Sequence, residues 1–314
     1  MPRTILMFCG QGSQYYQMAR ELHQTNSPFR RAMDRCDEVA GDIGGRRVSR
    51  IIYDCPMSDS ESFDRLPESN AALLAIGYAL ATMLLESGIV PDRLMGYSLG
   101  ETIAAVFGGA ISIEDGFRLV HGQALLCERL APAGAMVAVL ADPDRVRSIP
   151  EVIQFCDIAA INSPTHSVVS LLARDFPAVR AALDVRAMNW AQLPIRFPFH
   201  SAAIEPLAEP MLQLSETVRF ATSLWPIVSA ATGGVVENID GVHLWAAMRG
   251  MLKFCETIDN LAKEGEWRLI EAGPSGTLAA FARQVAAPGI VAWPTIDQFG
   301  QNTRTMQNLL AVAT

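Results

Sequence analysis

The sequence predicts an α/β fold in which a parallel sheet carries the main core and a smaller subdomain is inserted into it. Residues 5–9 are continuously apolar and end at Gly10, which is typical of a strand buried on both faces of a parallel sheet. Residues 93–107 have the pattern of a strand, a sharp turn and a small-residue helix. Between residues 134 and 194, short β-like runs alternate with helices, and a β-α-β-β-α-β order of that length predicts a ferredoxin-like subdomain.

The remaining elements follow from apolar spacing along the chain. One helix is expected to start at Ser112, because Asp115 three residues later completes a start signal related to the capping box. The segment 268–271 is expected to be the last strand of the main domain. The predicted helices span residues 15–22, 67–88, 102–107, 113–130, 144–155 and 176–185, and the predicted strands of the small subdomain include 135–140 and 168–172.

Length and composition predict one large core with a subordinate subdomain. The chain has 314 residues, of which 50% are apolar and 18% are charged, and this composition is the opposite of a disordered one. We expect the catalytic subdomain to comprise residues 1–130 and 195–314, and the small subdomain to comprise 131–194. The six cysteines form no CxxC pair, so we expect them to be reduced and mostly buried.

Charge and hydropathy argue against several function classes. The formal net charge is −8 and basic residues form no run, so nucleic acid and anionic membranes are not expected partners. The longest apolar stretch, residues 71–85, falls short of the roughly 18 residues that span a bilayer and predicts a buried helix. No export signal is recognised at the start of the chain, so we expect a cytoplasmic protein.

Gly96-x-Ser98-x-Gly100 is the nucleophile-elbow pattern. Such a turn forces the serine into a strained conformation at the tip of a strand, and only small residues two positions away leave room for the following helix. The serine then lies at a helix N-terminus, where backbone N–H groups face a developing oxyanion. The pattern alone leaves a catalytic serine and a turn serine equally open, and the strand before it and the helix after it favour catalysis.

A serine nucleophile needs a base, and the chain offers five histidines. His23, His121 and His243 fall in predicted helices among polar neighbours, which favours solvated surface positions. His166 lies in a turn and is open to either interpretation. His200 ends the aromatic, loop-like run 196–200 before a new helix, where a base on a pocket wall is expected, so we favour it.

Six motifs together resemble the malonyl-CoA:acyl-carrier-protein transacylase family, which includes the FabD-type enzymes and the acyltransferase domains of polyketide synthases. The resemblance covers essentially the whole chain in order and spacing. It implies an α/β-hydrolase-like catalytic subdomain with an inserted ferredoxin-like one. The motifs are GQGSQ at 10–14, GYSLGE at 96–101, GAISIED at 109–115, NSP at 162–164, FHS at 199–201 and EAGP at 271–274.

The resemblance implies a role for each matched residue. Ser98 would be the nucleophile and His200 the base, in a dyad whose imidazole is oriented by a backbone carbonyl near Lys253 in place of a carboxylate. The backbone amides of Gln11 and Leu99 would form the oxyanion hole.

Further residues are expected to bind substrate. Phe199 would face the acyl group, and Asn162 would support the wall of the site from the small subdomain, although a turn-forming role before Ser-Pro is equally compatible with the residues. Tyr97 stands where most transacylases have histidine. We assign it to the substrate site, while packing behind the elbow is the favoured alternative.

A second departure concerns the carboxylate clamp of the family, an arginine on the helix after the elbow. Gln123 occupies the aligned position. A glutamine lacks the charge that a bidentate pair with a malonyl carboxylate requires, so malonyl is disfavoured by about 3–5 kcal/mol. Arg118 and Arg129 should point about 140° and 120° away round the helix and not replace it. Arg196, near His200, stays open as a substitute.

Gln123, Tyr97 and the segment 15–18 resemble the discrete acyl hydrolases of trans-acyltransferase polyketide systems. We therefore expect a hydrolase of acyl groups bound to an acyl carrier protein or a carrier domain, present as a discrete enzyme or an excised domain. A transferase of monocarboxylic or longer acyl groups is the alternative. A malonyl transacylase and an inactive docking module follow. No cofactor or metal is expected, because phosphopantetheine or CoA arrives with the substrate.

Overall fold

A computed structural model describes residues 2–54 and 63–313 of the chain. The expectation for Cys55 lies outside the described residues. The other five cysteines are free thiols, and Cys9, Cys36 and Cys127 are buried. The strands, in chain order, are β1 Arg3–Phe8, β2 Arg93–Gly96, β3 Gly134–Val139, β4 Cys156–Ser163, β5 His166–Leu172, β6 Trp190–Gln192, β7 Ile227–Ser229, β8 Gly234–Val236, β9 Trp267–Glu271 and β10 Ile290–Pro294.

The helices surround two sheets. Two short 3₁₀ helices, Ala173–Asp175 and Ala202–Leu207, join the α-helices. The α-helices are α1 Arg20–Thr25, α2 Ser27–Ala40, α3 Val48–Tyr53, α4 Leu66–Glu86, α5 Gly100–Phe107, α6 Ile113–Leu130, α7 Pro143–Arg147, α8 Pro150–Phe155, α9 Phe176–Val185, α10 Ala208–Ser215, α11 Gly241–Arg249, α12 Phe254–Lys263, α13 Thr277–Val285 and α14 Asn302–Ala313.

The larger sheet has the strand order β10-β9-β1-β2-β7-β8. All neighbouring strands are parallel except the antiparallel edge pair β7–β8. Residues 5–8 of β1 are fully buried at the centre of this sheet, because helices cover both of its faces. The predicted α/β fold with a parallel sheet is confirmed.

The smaller sheet has the order β4-β5-β3-β6, and every pair in it is antiparallel. Its elements run strand, helices, two strands, helix and strand along the chain, which is the ferredoxin-like arrangement. The predicted fold class of the small subdomain is therefore confirmed.

Helix α4 passes through the core of the main unit. It is the one described helix long and apolar enough to cross a membrane, and 83% of its most apolar window is buried inside the protein. The prediction that residues 71–85 belong to a buried helix is confirmed. Helix α6 begins and ends where the sequence predicts, with the Ser112 side chain accepting from the Asp115 amide at 3.0 Å.

Three local predictions were wrong. The predicted helix at 15–22 starts only at Arg20, because Gln17 and Ala19 adopt left-handed conformations (φ 69° and 55°) that a right-handed helix excludes. The predicted helix 144–155 is two helices, since Pro150 begins a new one and disfavours helical geometry in the residue before it. Finally, β9 is not the last strand, because β10 follows and forms the edge of the sheet.

Candidate active site

Ser98 lies on a sterically forced turn between β2 and α5. Its φ of 57° is the left-handed conformation that serine seldom adopts. The turn closes only because its flanking glycines lack side chains. A Cβ on Gly96 would lie 2.4 Å from Glu101 Cα, and a Cβ on Gly100 would lie 2.0 Å from Phe8 O. The Gly-x-Ser-x-Gly spacing thus produces the elbow that the sequence predicts.

The glycine-rich loop after β1 packs directly against this elbow. A Cβ on Gly10 would lie 2.9 Å from Ser98 Cβ and 2.8 Å from Tyr97 O, so a larger residue there would push the loop away. The Ser13 hydroxyl donates to Gly10 O at 2.6 Å and holds the loop closed. The next residue, Gln11, is thereby brought beside the serine.

Two backbone amides at this junction lie unpaired in the part of the chain that the structure describes. Within residues 2–54 and 63–313, neither the Gln11 amide nor the Leu99 amide donates a hydrogen bond. Leu99 immediately precedes α5, so its amide is one of the N–H groups at the helix N-terminus. The Gln11 side chain is held by Asn70, which in turn donates to Val120 O at 3.2 Å. An unpaired pair of N–H groups beside a serine is the arrangement that an oxyanion hole requires.

His200 contacts the serine hydroxyl. Its Nε2 lies 2.9 Å from Ser98 Oγ, and its Nδ1 lies 2.8 Å from Gly250 O. Because a carbonyl can only accept, Nδ1 carries the proton in that bond and Nε2 is left as the acceptor for the serine hydroxyl. The orienting carbonyl belongs to Gly250, three positions before the Lys253 region named from the sequence.

Burial keeps the imidazole neutral. His200 is 4% exposed, and desolvation lowers its pKa to about 4, although its hydrogen bond to Gly250 acts in the opposite direction. A neutral imidazole is the form that accepts a proton, so His200 is in the basic form throughout the neutral pH range.

The dyad opens into a narrow and largely apolar cavity, which we call the acyl cavity. Its volume is about 90 Å³, and a single water needs about 10–15 Å³ by the same measure, so a short acyl chain fits. It is enclosed by Gln11, Asn70, Tyr97, Ser98, Leu99, Thr102, Leu119, Gln123, Cys127, Met136, Ala160, Val168, Leu193, Ile195, Phe199, His200, Met211, Leu214, Ser215, Gly241, Leu244, Trp245, Met248 and Leu252.

No described residue that lines the acyl cavity is an arginine, lysine, aspartate or glutamate. Gln123 takes the position of the expected clamp, and its side-chain amide donates to Met248 Sδ at 3.2 Å. Three arginines point elsewhere. Arg118 pairs with Asp115 at 2.7 Å, Arg196 pairs with Asp64 at 3.7 Å, and Arg129 lies on an outer groove.

Tyr97 and Asn162 contact each other. The Tyr97 hydroxyl donates to Asn162 Oδ1 at 2.9 Å, which joins the elbow strand to β4 of the smaller sheet. Burial raises the pKa of Tyr97 well above its usual range, so the hydroxyl keeps its proton. The Asn162 amide continues to His166 Nδ1 at 3.2 Å. Tyr97 and Phe199 line the acyl cavity, whereas Asn162 lies behind Tyr97.

The described residues 2–54 and 63–313 contain no group of three or more His, Cys, Asp or Glu side chains that could hold a metal ion. The polar groups gathered at the site are instead a hydroxyl, an imidazole and two amides.

Residues 5–296, which include the elbow, the glycine loop and His200, match the acyl transferase domain family. The chain belongs to the acyl transferase family. The chain is 34% identical over 285 residues to the polyketide biosynthesis acyltransferase homolog BaeD of Bacillus velezensis, a match that covers 91% of the chain and 88% of BaeD. It is 32% identical over 281 residues to the homolog PksD of Bacillus subtilis, which covers 90% and 87% of the two chains.

Solved structures share the fold of this chain. The loading acyltransferase of the avermectin modular polyketide synthase superimposes with a TM-score of 0.89 at 25% identity, covering 98% of this chain and 99% of that one. MCAT from Streptococcus pneumoniae gives a TM-score of 0.82 at 26% identity, covering 99% and 100%. The predicted resemblance to FabD-type and polyketide synthase acyltransferases is confirmed.

The expectation that His243 is a solvated surface side chain was wrong. His243 is 9% exposed, not a solvated surface side chain, and its Nε2 lies 2.5 Å from Glu101 Oε2. Glu101 is fully buried and also accepts from the Ser229 hydroxyl at 2.6 Å. The pair anchors α11 to the elbow helix. This matters to the dyad because His200 N donates to Met248 O, on α11, at 3.1 Å.

Proposed function

We propose that the chain is a serine hydrolase of acyl thioesters in polyketide biosynthesis, which removes acyl groups from carrier proteins and does not select malonyl. The observation that supports this most directly is the 2.9 Å contact between Ser98 and His200. Both residues line the acyl cavity, whose described lining residues carry no formal charge. The names of BaeD and PksD support the placement in polyketide biosynthesis.

The first half of the reaction forms an acyl ester on Ser98. The Ser98 Oγ attacks the thioester carbon while its proton passes to His200 Nε2. The carbonyl oxygen becomes an oxyanion, and the amides of Gln11 and Leu99 donate to it. Loss of one such donor typically costs a factor of about 10²–10³ in rate. When the C–S bond breaks, the leaving thiolate takes the proton from His200.

The second half releases the acyl group. A water gives its proton to His200 Nε2 and attacks the ester carbon, and the C–Oγ bond breaks as Ser98 takes the proton back. The products are a free carboxylic acid and a restored hydroxyl. If a second thiol attacked in place of water, the same residues would perform a transfer. Every group that moves a proton belongs to the chain, while phosphopantetheine or CoA arrives as part of the substrate.

The missing cation disfavours malonyl. Transfer of a carboxylate from water into the acyl cavity without an ionic partner costs about 3–5 kcal/mol. The Gln123 side-chain amide makes only a weak hydrogen bond to Met248, so it can donate to a substrate instead. It carries no net charge, however, and therefore cannot neutralise a carboxylate. Acetyl and longer monocarboxylic groups incur no such cost, so we propose them as the substrates.

The hydrolase assignment draws on the resemblance of Tyr97, Gln123 and residues 15–18 to discrete acyl hydrolases. A transferase of monocarboxylic groups is the second candidate, because the relatives BaeD and PksD are named acyltransferase homologs. We propose a cytoplasmic location, since five described cysteines are free thiols and free thiols suit a reducing compartment.

We propose that the acidic carrier protein docks beside α11. Arg249 ends that helix and Lys253 follows it, next to the Gly250 carbonyl that orients the dyad. Arg249 is paired with Glu205 at 2.7 Å, and Arg46 with Glu68 at 3.5 Å. Arg47 precedes α3. The sequence offers Arg46, Arg47, Arg249 and Lys253 as basic candidates for this contact, and Arg249 and Lys253 lie closest in sequence to Gly250.

One experiment separates the candidate functions. Acetyl-, hexanoyl- and malonyl-carrier proteins are incubated with the chain, with and without a second unloaded carrier, and intact masses are followed. Free acid with bare carrier supports the hydrolase, whereas an acyl group on the second carrier supports the transferase. Efficient turnover of malonyl-carrier contradicts the role given to Gln123. An inert protein contradicts both enzymatic proposals.

A further inference from the structure

We propose that Leu214 sets the acyl-chain length that the site accepts, by closing the acyl cavity against an outer groove. This inference rests on the proposed function, because it concerns the acyl group carried by Ser98. It is based on the position of one side chain between two concave surfaces.

Leu214 belongs to the lining of both surfaces. On the inner side it lines the acyl cavity together with Met211 and Ser215 of the same helix, α10. On the outer side it lines a groove between α6 and α10, which we call the outer groove. The outer groove is formed by Gly122, Leu125, Leu126, Glu128, Arg129, Pro210, Gln213 and Leu214.

Close packing holds Leu214 in this position. A Cβ on Gly122 would lie 2.8 Å from Leu214 Cδ1 and 2.9 Å from Cδ2, so both methyl groups rest on the bare backbone of α6. Any side chain at position 122 would have to displace them. A glycine at this position therefore lets the leucine seal the space between the two helices.

Leu214 forms part of the wall of the acyl cavity away from the dyad. The dyad and the oxyanion amides occupy the elbow side of the acyl cavity, and its remaining walls come mostly from α6, α10 and α11. Its volume of about 90 Å³, by the measure in which one water needs about 10–15 Å³, limits the length of chain that it can enclose. A chain that extends between α6 and α10 would meet Leu214, and behind Leu214 lies a surface with apolar members such as the 48% exposed Leu125.

If Leu214 closes the acyl cavity, substitutions of it should change the accepted chain length in opposite directions. Leu214→Ala removes three carbons and connects the acyl cavity to the outer groove, so chains several methylenes longer should gain binding in the transition state. Each buried methylene is worth roughly a factor of four. Leu214→Phe adds volume at the same place and should exclude chains that the unmodified protein accepts.

The test measures acylation of Ser98 by N-acetylcysteamine thioesters of acetyl, butyryl, hexanoyl, octanoyl and decanoyl groups, through the intact mass of the quenched protein. In Leu214→Ala the decanoyl-to-butyryl ratio of kcat/KM should rise about tenfold or more. In Leu214→Phe the hexanoyl-to-acetyl ratio should fall by a similar factor. Leu130→Ala is the matched control, because this leucine is 41% exposed at the end of α6 and lines neither surface, and both ratios should stay unchanged in it.

Two failures are distinguishable. Ratios that stay the same in both Leu214 variants, while Ser98 is still acylated, would overturn the inference and leave the proposed function standing. Absence of an acyl adduct on the unmodified protein with every thioester would overturn the proposed function itself. Circular dichroism of each variant establishes that it is folded, and the Phe variant keeps the test decisive if the Ala variant does not fold.

Discussion

The Gln123 side-chain amide donates to the sulfur of Met248 at 3.2 Å, so α6 is joined to α11 by a weak, uncharged contact on the wall of the acyl cavity. Thioether sulfur is a poor acceptor. The contact therefore fixes the side chain without creating a site for an anion.

Replacing Gln123 with arginine should restore recognition of a carboxylate. A charge-assisted pair contributes about 1.5–3 kcal/mol, so kcat/KM for malonyl-carrier should rise roughly 10- to 100-fold relative to acetyl-carrier. Stopped-time mass spectrometry of both carriers measures the ratio. Gln123→Met is the uncharged control and should leave malonyl disfavoured. An unaltered ratio in Gln123→Arg would show that this wall does not meet the acyl group.

The acid limb of the pH–rate profile should lie far below that of an ordinary histidine. Burial lowers the pKa of His200 from 6.5 to about 4, and only the unprotonated imidazole accepts the serine proton. Acylation of Ser98 should thus stay constant from pH 8 down through 6.5 and reach half its value near pH 4. A half-maximal rate near pH 6.5, with circular dichroism unchanged, would contradict a buried base.

The same shift links His200 to stability. The unfolded chain binds the proton more readily than the folded one, so the contribution of His200 to stability is complete above pH 6.5 and decreases as the pH falls toward 4. Urea unfolding at several pH values measures this trend. Relative to His200→Gln, the unmodified protein should lose stability over that interval. Parallel curves for the two proteins would be the contrary finding.

Removal of the Tyr97 hydroxyl should destabilise the fold through Asn162. Asn162 is 1% exposed, and Tyr97→Phe would remove the donor to its side-chain oxygen, so a loss of about 1–3 kcal/mol in the free energy of unfolding is expected. Tyr53→Phe is the matched control, because the Tyr53 hydroxyl is buried without a partner in the part of the chain that the structure describes. It should cost nothing. Equal effects of the two variants would argue against the Tyr97–Asn162 contact.

His243→Ala should be among the most destabilising substitutions near the site. It removes from the fully buried Glu101 side chain its partner on α11, and leaving a buried polar group without its partner costs about 1–3 kcal/mol, in addition to the lost packing of the imidazole. Chemical denaturation measures the loss. His121→Ala, at a half-buried position of α6, serves as the comparison, and it should lower the free energy of unfolding by under about 1 kcal/mol. If the two losses are alike, the Glu101–His243 pair does not anchor α11.

Local steric rules made the elbow predictable. Gly96, Ser98 and Gly100 lie within five residues, and the spacing of the two glycines around the serine is visible in the sequence, although the strand that crowds Gly100, at Phe8, is distant along the chain. The central strand β1 was equally visible, since burial on both faces demands an uninterrupted apolar run. The family motifs, taken together, also predicted that His200 and the glycine-rich loop belong to the same site as the elbow.

Long-range contacts between chemically ordinary residues were not predictable. His243 and Glu101 are 142 positions apart, and helical spacing with polar neighbours made the histidine look solvated. The orienting group of His200 is the Gly250 carbonyl, a backbone atom that leaves no signature in the side-chain sequence. Strand β10 was missed because it lies at the sheet edge and is only partly buried. It also ends at Pro294, and proline usually interrupts a strand.

The most direct test of the account is the intact mass of the protein quenched during turnover of acetyl-carrier protein, compared with that of Ser98→Ala. We predict an adduct of one acetyl group that peptide mapping places on Ser98, and neither an adduct nor free acetate from the alanine variant. Undiminished acetate release by Ser98→Ala would contradict the account, because Ser98 supplies the only hydroxyl that is hydrogen-bonded to His200 in the part of the chain described.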